Sequence, residues 1–232
     1  TIKSNSFSIR AGLESAGNVM YAISNLTKQS KNSDGEYSLL SIPYAQYVKG
    51  DFDFSRNIVI DDKNAIAYHV GVGIAVPYGN SKSIPYIKQY FSGGANSVRG
   101  WSVRELGPGS FPGDGNYLNQ SGDIKFDASI EYRSKLFWLL QGALFVDAGN
   151  IWTIKEYENQ PGGQFDISKF YKQIAFAYGL GIRIDLDYLV FRIDGGMKAL
   201  NPAYSSGKQR YPILNPNFKR DFTFHLAVGY PF

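Results

Sequence analysis

Cysteine is absent from this sequence of 232 residues, which excludes disulfide bonds and thiolate chemistry. No run of about 20 apolar residues occurs, so transmembrane helices are excluded as well. The 24 lysines and arginines are spread among 20 acidic residues, so we expect no nucleic-acid partner. Residues 1–5 show no basic segment followed by an apolar one, and we therefore expect no secretory signal there.

Aromatic residues and glycine are abundant instead. The chain has 17 tyrosines, 16 phenylalanines and 25 glycines, while its mean hydropathy is only -0.24. Disordered chains are poor in aromatic residues, and helical bundles depend on alanine, leucine, glutamate and lysine. The composition therefore favours β-structure, in one domain or two small ones.

Strict alternation of apolar and polar residues predicts β-strands along most of the chain. It is clearest at 66–76, 122–133, 173–185 and 224–232, and weaker at 7–13, 40–54, 138–146 and 189–197. About eight strands result, most of them near the 9 to 11 residues that a tilted strand needs to cross a bilayer. A soluble β-sandwich or a ligand-binding lipocalin-type barrel alternates too, and both remain alternatives at this point.

The connections between these strands alternate in length. Those at 134–137 and 187–188 are tight, whereas those at 17–37, 77–121, 153–171 and 199–219 are long. Outer-membrane barrels combine short periplasmic turns with long extracellular loops, and their interiors are polar. Here the less apolar strand face holds glycine, alanine, serine and charged residues. Both observations favour a membrane barrel over the soluble alternatives.

One long loop carries a distinctive motif, the tetrapeptide Val98-Arg99-Gly100-Trp101, which 106–109 (Leu-Gly-Pro-Gly) follows. Segments 128–132, 144–152 and 224–232 come after it in a fixed order. This set resembles the BamA and TamA outer-membrane insertase superfamily over essentially the whole chain. The combination of 93–97 (Gly-Gly-Ala-Asn-Ser), 106–109 and 146–150 (Val-Asp-Ala-Gly-Asn) makes it most similar to TamA-like translocation and assembly proteins.

The resemblance implies that the tetrapeptide sits inside the barrel and that Arg99 reaches acidic residues on the wall. Glu131 and Asp147 have the parity of the polar face, on adjacent predicted strands. A guanidinium group is a planar fork with five donors, which suits a bridge between two carboxylates. We therefore expect a loop lock made of Val98, Arg99, Gly100, Trp101, Glu131 and Asp147.

The last predicted strand has an ordinary role and a functional one. Any outer-membrane barrel ends in such a strand, but the resemblance also implies a lateral gate between the first and last strands. The predicted gate residues are Phe224, Leu226, Val228, Gly229, Tyr230 and Phe232. Glycine and proline weaken strand pairing, so Gly229 and Pro231 loosen the end of this strand.

The fold class expected is an all-β, antiparallel transmembrane β-barrel, of which about eight strands are present. An eight-stranded barrel is just wide enough for its own side chains and cannot also hold the loop at 77–121. We therefore interpret 1–232 as the second half of a barrel of about sixteen strands, without its N-terminal strands and POTRA domains. The alternative is a shortened protein that dimerises to complete the wall.

The function implied is insertion of β-barrel proteins into the bacterial outer membrane, through the seam between first and last strands. The partners implied are the lipid bilayer and unfolded β-barrel clients, and docking of a lipoprotein or inner-membrane accessory subunit is left open. We expect no enzymatic activity, cofactor or metal site, because His69 and His225 lie on separate strands without an evident nucleophile. Two alternatives stay open: a two-partner secretion pore, and a plain structural barrel or surface antigen.

Overall fold

A computed structural model describes residues 4–186 and 188–232. Within these residues the chain forms ten β-strands, two α-helices and four short 3₁₀ turns. The strands are β1 (Ser6–Ala16), β2 (Ser38–Leu39), β3 (Ile42–Pro43), β4 (Tyr47–Val59), β5 (Asn64–Pro77), β6 (Ile124–Phe137), β7 (Leu140–Trp152), β8 (Ala175–Asp185), β9 (Val190–Leu200) and β10 (Phe222–Val228). The helices are α1 (Asn18–Leu26) and α2 (Phe218–Asp221), and the 3₁₀ turns are Tyr86–Lys88, Tyr117–Asn119, Phe170–Gln173 and Pro212–Leu214. Of the described residues, no helix is both long and apolar enough to span a bilayer.

Eight of the strands build one antiparallel sheet in the order β1-β4-β5-β6-β7-β8-β9-β10, and β2 and β3 form a separate small hairpin. If β2 and β3 are left aside, each strand of the large sheet therefore pairs with the strands that precede and follow it along the chain. Among the described residues, β1 pairs only with β4 and β10 only with β9, so both are edges. The all-β antiparallel fold and the expected number of strands are confirmed.

The two faces of the sheet have opposite polarity, as the alternation predicts. On β6, Ile130 is 61% exposed while its neighbour Glu131 is fully buried. We call the face of Glu131 the inner face, since the long loop before β6 covers it, and the other the outer face. Apolar side chains on an exposed face and charged ones on a buried face are the reverse of a soluble sandwich and are typical of a membrane barrel wall.

Four local predictions are wrong. The tight connection expected at 134–137 lies inside β6, which runs to Phe137, and the turn falls instead at Trp138, whose φ is 51°. The strand expected at 40–54 begins only at Tyr47, because Leu40 and Ser41 adopt positive φ angles of 49° and 66° in the turn between β2 and β3. The last strand ends at Val228 instead of continuing to Phe232. The segment 17–37, expected to be a loop, contains α1. The tight turn predicted at 187–188 includes Asp187, which lies outside the described residues.

The loop between β5 and β6 lies across the inner face and has a small apolar core of its own. Val98, Trp101 and Leu106 of the loop pack with Ala175 and Ala177 of β8. Small side chains on β8 leave room for the larger ones of the loop. This packing brings the tetrapeptide 98–101 against the middle of the wall.

Candidate functional site

Arg99, at the tip of the long loop, is held mainly by Asp147 of β7. Its Nε and Nη2 atoms donate to the two carboxylate oxygens of Asp147, each at 2.8 Å. The backbone N–H of Arg99 donates to the same carboxylate at 3.0 Å. A two-pronged, charge-assisted contact of this kind fixes orientation as well as distance. The side chain and main chain of Arg99 are thus both bound by one acidic residue.

Glu131, Ser129, Phe145 and Asp194 also surround this guanidinium group, with Asp194 3.7 Å from Nη1. Nη1 donates to Glu131 at 2.6 Å, and Nη2 donates to the hydroxyl of Ser129 at 3.2 Å. The ring of Phe145 lies 3.5 Å from the guanidinium carbon and covers its face. Arg99, Glu131 and Asp147 are all buried. The structure therefore brings together the arginine and the two carboxylates singled out in the sequence.

The last strand contacts the backbone of the same loop tip. The Nε2–H of His225 donates to the carbonyl oxygen of Arg99 at 2.9 Å. The hydroxyl of Thr223 donates to the carbonyl oxygen of Gly100 at 2.9 Å. The loop is therefore bound on one side by β6 and β7 through charge, and on the other by β10 through neutral hydrogen bonds. His225 has a structural partner here and is not paired with a nucleophile.

Glycines on the wall allow the loop tip to approach this closely. A Cβ atom at Gly196 of β9 would lie 2.6 Å from the carbonyl carbon of Arg99 and 3.1 Å from the backbone nitrogen of Gly100. A Cβ at Gly149 of β7 would lie 3.0 Å from a methyl group of Val98. Any larger residue at Gly196 has to displace backbone rather than a flexible side chain.

More charges surround the lock than the motif predicts. Arg183 of β8 donates to Glu131 at 2.9 Å and to Asp194 of β9 at 2.6 Å. Arg133 donates to Glu131 at 2.8 Å, and Arg192 lies 3.3 Å from Asp194. We call the whole set the inner-face charge cluster; its members are Arg99, Arg133, Arg183, Arg192, Glu131, Asp147 and Asp194. Parity places Arg133 and Arg183 on the polar face, but only the fold shows which carboxylate each one meets.

A second ion pair holds the loop further along. Lys198 of β9 donates to Glu105 at 2.7 Å, and its Nζ lies 5.2 Å from the ring centre of Trp101. Trp101 therefore helps to bind the loop to the wall, by packing and by its contact with a cation.

Near this ion pair, burial opposes ionisation of Asp221 in α2, but hydrogen bonds from Arg220 and from the backbone of Asn217 outweigh it and lower the pKa of Asp221.

The segment after β10 turns away from the sheet edge. Phe224, Leu226 and Val228 point outward, as predicted, but the chain leaves the ladder at Gly229, whose φ is 86°. Tyr230 then lies below the guanidinium group of Arg133, 4.4 Å from ring centre to Cζ. The prediction that Tyr230 and Phe232 share the outward face of the last strand is wrong.

Phe232 stacks on His69 of β5 with ring centres 5.4 Å apart. The two ring nitrogens of His69 lie 3.2 Å from Asp53 and 3.3 Å from Asp127. These neighbours orient the imidazole as a platform for the terminal ring. Among the residues that the structure describes, no group of three or more histidine and acidic side chains is placed to hold a metal ion.

Fold and site together define a class: a membrane β-barrel wall with a long loop bound through an arginine to its inner face. The family model of the Omp85 superfamily domain matches residues 26–232. The chain therefore belongs to the Omp85 superfamily.

Curated relatives share parts of this chain. It is 35% identical over 97 residues to outer membrane protein assembly factor BamA of Neisseria meningitidis, which covers 38% of this chain and 12% of that protein. It is 25% identical over 166 residues to the mouse sorting and assembly machinery component 50 homolog, covering 65% of this chain and 34% of that protein. The chain thus spans only 12% and 34% of the length of these two relatives.

A solved structure is similar over nearly the whole chain. BamA of Haemophilus ducreyi lacking POTRA domains 1–3 superposes with a TM-score of 0.54 at 16% identity. The superposition covers 97% of this chain and 51% of that one. At this identity the similarity establishes the fold alone. The narrower resemblance to TamA-like members stays a prediction.

Proposed function

We propose that this chain is the C-terminal part of a protein that inserts and assembles β-barrel proteins in the bacterial outer membrane. The similarity to the assembly factor BamA carries this proposal. The sorting and assembly machinery component 50 homologs point to the same kind of activity. The non-enzymatic character that we expect agrees with the names of these relatives, which are those of assembly factors.

We place 1–232 as the second half of a barrel of about sixteen strands, with further strands and POTRA domains before it. Two observations support this arrangement. The chain covers 51% of the BamA structure that it resembles. In addition, β1 and β10 have no pairing with each other among the described residues, so both edges are available to other strands.

We propose that client strands bind at the seam formed by β10. An unpaired strand edge presents free N–H and C=O groups, which an incoming client strand uses for pairing. β10 has only 7 residues, against 14 for β6, and the chain after Val228 turns inward instead of extending the edge.

The partners we propose are the lipid bilayer and unfolded β-barrel clients, with a lipoprotein or inner-membrane subunit as candidate accessory components.

We propose that the inner-face charge cluster keeps the loop inside the barrel while client strands are inserted. Removing one partner of a buried ion pair leaves an uncompensated charge and costs about 3–5 kcal/mol. We expect Arg99→Ala to release the loop, making 78–123 sensitive to protease and lowering the amounts of many outer-membrane barrels. The matched control is Lys82→Ala, which removes an exposed cation from the same loop.

The test depletes the native protein, supplies the wild type or either variant, and measures the outer-membrane proteome. Loss of many barrel proteins on depletion, restored by wild type and Lys82→Ala but not by Arg99→Ala, supports the proposal. Loss of one exported protein identifies a two-partner secretion pore instead. An unchanged proteome identifies a structural barrel or surface antigen. Fractionation of the same cells checks the bacterial outer membrane as its location.

A further inference from the structure

An exposed apolar surface lies on the connection between β1 and β4, away from the inner-face charge cluster. Val19, Leu26 and Leu40 on this connection expose 72%, 82% and 89% of their surface. Single exposed aliphatic residues are ordinary, whereas a set of them marks an interaction surface. We call this set the interface patch; it comprises Val19, Met20, Ile23 and Leu26 of α1 and Leu39, Leu40 and Ile42 of the β2–β3 hairpin.

The apolar face of α1 points outward because its other face is held by the protein. Ser24 is buried and accepts a hydrogen bond from the hydroxyl of Tyr44 at 3.2 Å. Tyr21 packs edge-on against Tyr37, with ring centres 5.6 Å apart. The side chain of Asn18 accepts a hydrogen bond from the hydroxyl of Tyr78 at 2.6 Å. The orientation of the helix is therefore set by specific contacts.

The interface patch begins directly after β1 along the chain. Ile9 and Leu13 of β1 are exposed on that face, which meets lipid in a membrane barrel. β1 ends at Ala16, and Gly17, with φ of 79°, turns the chain directly into α1. The patch thus begins where a lipid-facing strand ends.

The charges beside the patch favour a bilayer over a charged protein partner. Lys28 and Lys31 follow α1, and Asp34 and Glu36 follow them, so the segment carries no net charge. Recognition therefore depends on apolar area. An amphipathic helix with an apolar face and a polar opposite face lies in the plane of a membrane interface, with its apolar side chains among the upper acyl groups.

We propose that α1 and the β2–β3 hairpin lie in the interfacial region of a phospholipid bilayer at the long-loop end of β1. There they anchor this part of the barrel rim to the membrane. The family match begins at residue 26, so all of α1 except Leu26 lies outside the matched residues. The inference requires the outer face to meet lipid, but it is independent of whether the protein inserts clients.

Site-directed spin labelling of the full-length protein in phosphatidylcholine vesicles tests this placement. This chain has no cysteine, so labels attach to single introduced thiols once any cysteine elsewhere in the protein is replaced by serine. Labels go on Ile23→Cys and Leu40→Cys of the patch. Leu180→Cys on the outer face of β8 is the lipid reference, and Asp34→Cys is the water reference on the same loop. Collisions with oxygen report lipid, and collisions with a water-soluble nickel chelate report solvent.

We expect the labels at 23 and 40 to fall between the two references, because an interfacial site is shallower than Leu180 at the middle of β8. Their oxygen accessibility should be several-fold higher, and their nickel accessibility several-fold lower, than those of the label at 34. Nickel accessibility equal to that of Asp34→Cys would place the patch in water and overturn the proposal. Low accessibility to both reagents would show that protein covers the patch and would overturn it too. If Ile23→Cys does not give heat-modifiable folded barrel, Leu26→Cys on the same helix face replaces it.

Discussion

Arg99 connects the loop to the wall because one guanidinium group meets several acceptors at once. It contacts Asp147, Glu131 and Ser129, while its own carbonyl accepts from His225. A lysine has a single charged nitrogen and cannot reproduce this planar fork. The same crowding makes nearby glycines important, since they decide how closely the loop backbone approaches.

Gly196→Ala is expected to loosen the loop although it changes no charge. The added methyl group meets the backbone of Arg99 and Gly100, and overpacking of this kind costs about 1–3 kcal/mol. Limited proteolysis of the folded protein should therefore cleave 78–123 several-fold faster. Gly50→Ala on β4 is the matched control, because a Cβ there has nothing within 4 Å. Equal cleavage of the two variants would contradict the conclusion that close contact at Gly196 holds the loop.

At the scale of elements, the contrast between β10 and the segment after it stands out. The strand contributes outward apolar residues to the sheet edge, while the residues beyond Val228 fold onto the inner face. Gly229 makes this change of direction possible, since its φ of 86° is readily available only to glycine. The length of the free edge thus depends on one backbone conformation.

Gly229→Val is expected to draw the end of the chain out of the inner face. A left-handed conformation costs a residue with a Cβ about 1–2 kcal/mol, and more when it is β-branched. A bifunctional maleimide should link Tyr230→Cys to Gln141→Cys, since these side chains are in contact in the native protein. Adding Gly229→Val should lower the yield several-fold.

Gly207→Val is the control for that experiment. Gly207 has a φ of 85° and open space around it, so it carries the same backbone penalty in a different loop. Its cross-linking yield should equal that of the parent. A parent-like yield from Gly229→Val would mean that the contact of Phe232 with His69, rather than the glycine, places this segment.

At the scale of the molecule, the chain is a wall with two open edges. Its outer face is apolar and its inner face is charged, so neither face is suited to a soluble core. We propose that further strands close the barrel. The arrangement we propose, with additional strands before β1 in the same protein, makes a prediction that distinguishes it from closure by a second copy.

Amides along the whole of β1 should be protected from hydrogen exchange in the full-length protein in detergent micelles. Alternate amides of an antiparallel edge strand point away from its one partner, so their protection requires another strand. Native mass spectrometry of the same sample should give a monomer. A dimer with protected amides would favour the shortened protein that dimerises, and rapid exchange at alternate amides would show that β1 is a true edge.

Much of the wall could be predicted because its signal is local. Side chains of a strand alternate between faces, so parity alone puts Ile130 and Glu131 on opposite faces. That Ile130 is exposed and Glu131 buried follows once the wall is taken as that of a membrane barrel with a polar interior. Predicting the partners of Arg99 required strand parity together with the resemblance that the tetrapeptide carries. The pairing of Arg183 with Glu131 and of Arg192 with Asp194 could not be predicted, because it depends on how neighbouring strands align.

By itself, then, the sequence determined the strands, their two faces, the long loop and the superfamily, since each of these is written in short-range patterns and ordered motifs. Only the tertiary structure decided the inward turn after Val228, the orientation of α1 and the close approach of the loop to Gly196. Each of those depends on contacts between groups distant along the chain. Gly229 permits the turn, but Arg133 and His69 bind the rings that follow it, and α1 and Gly196 likewise meet residues that no short-range pattern relates to them.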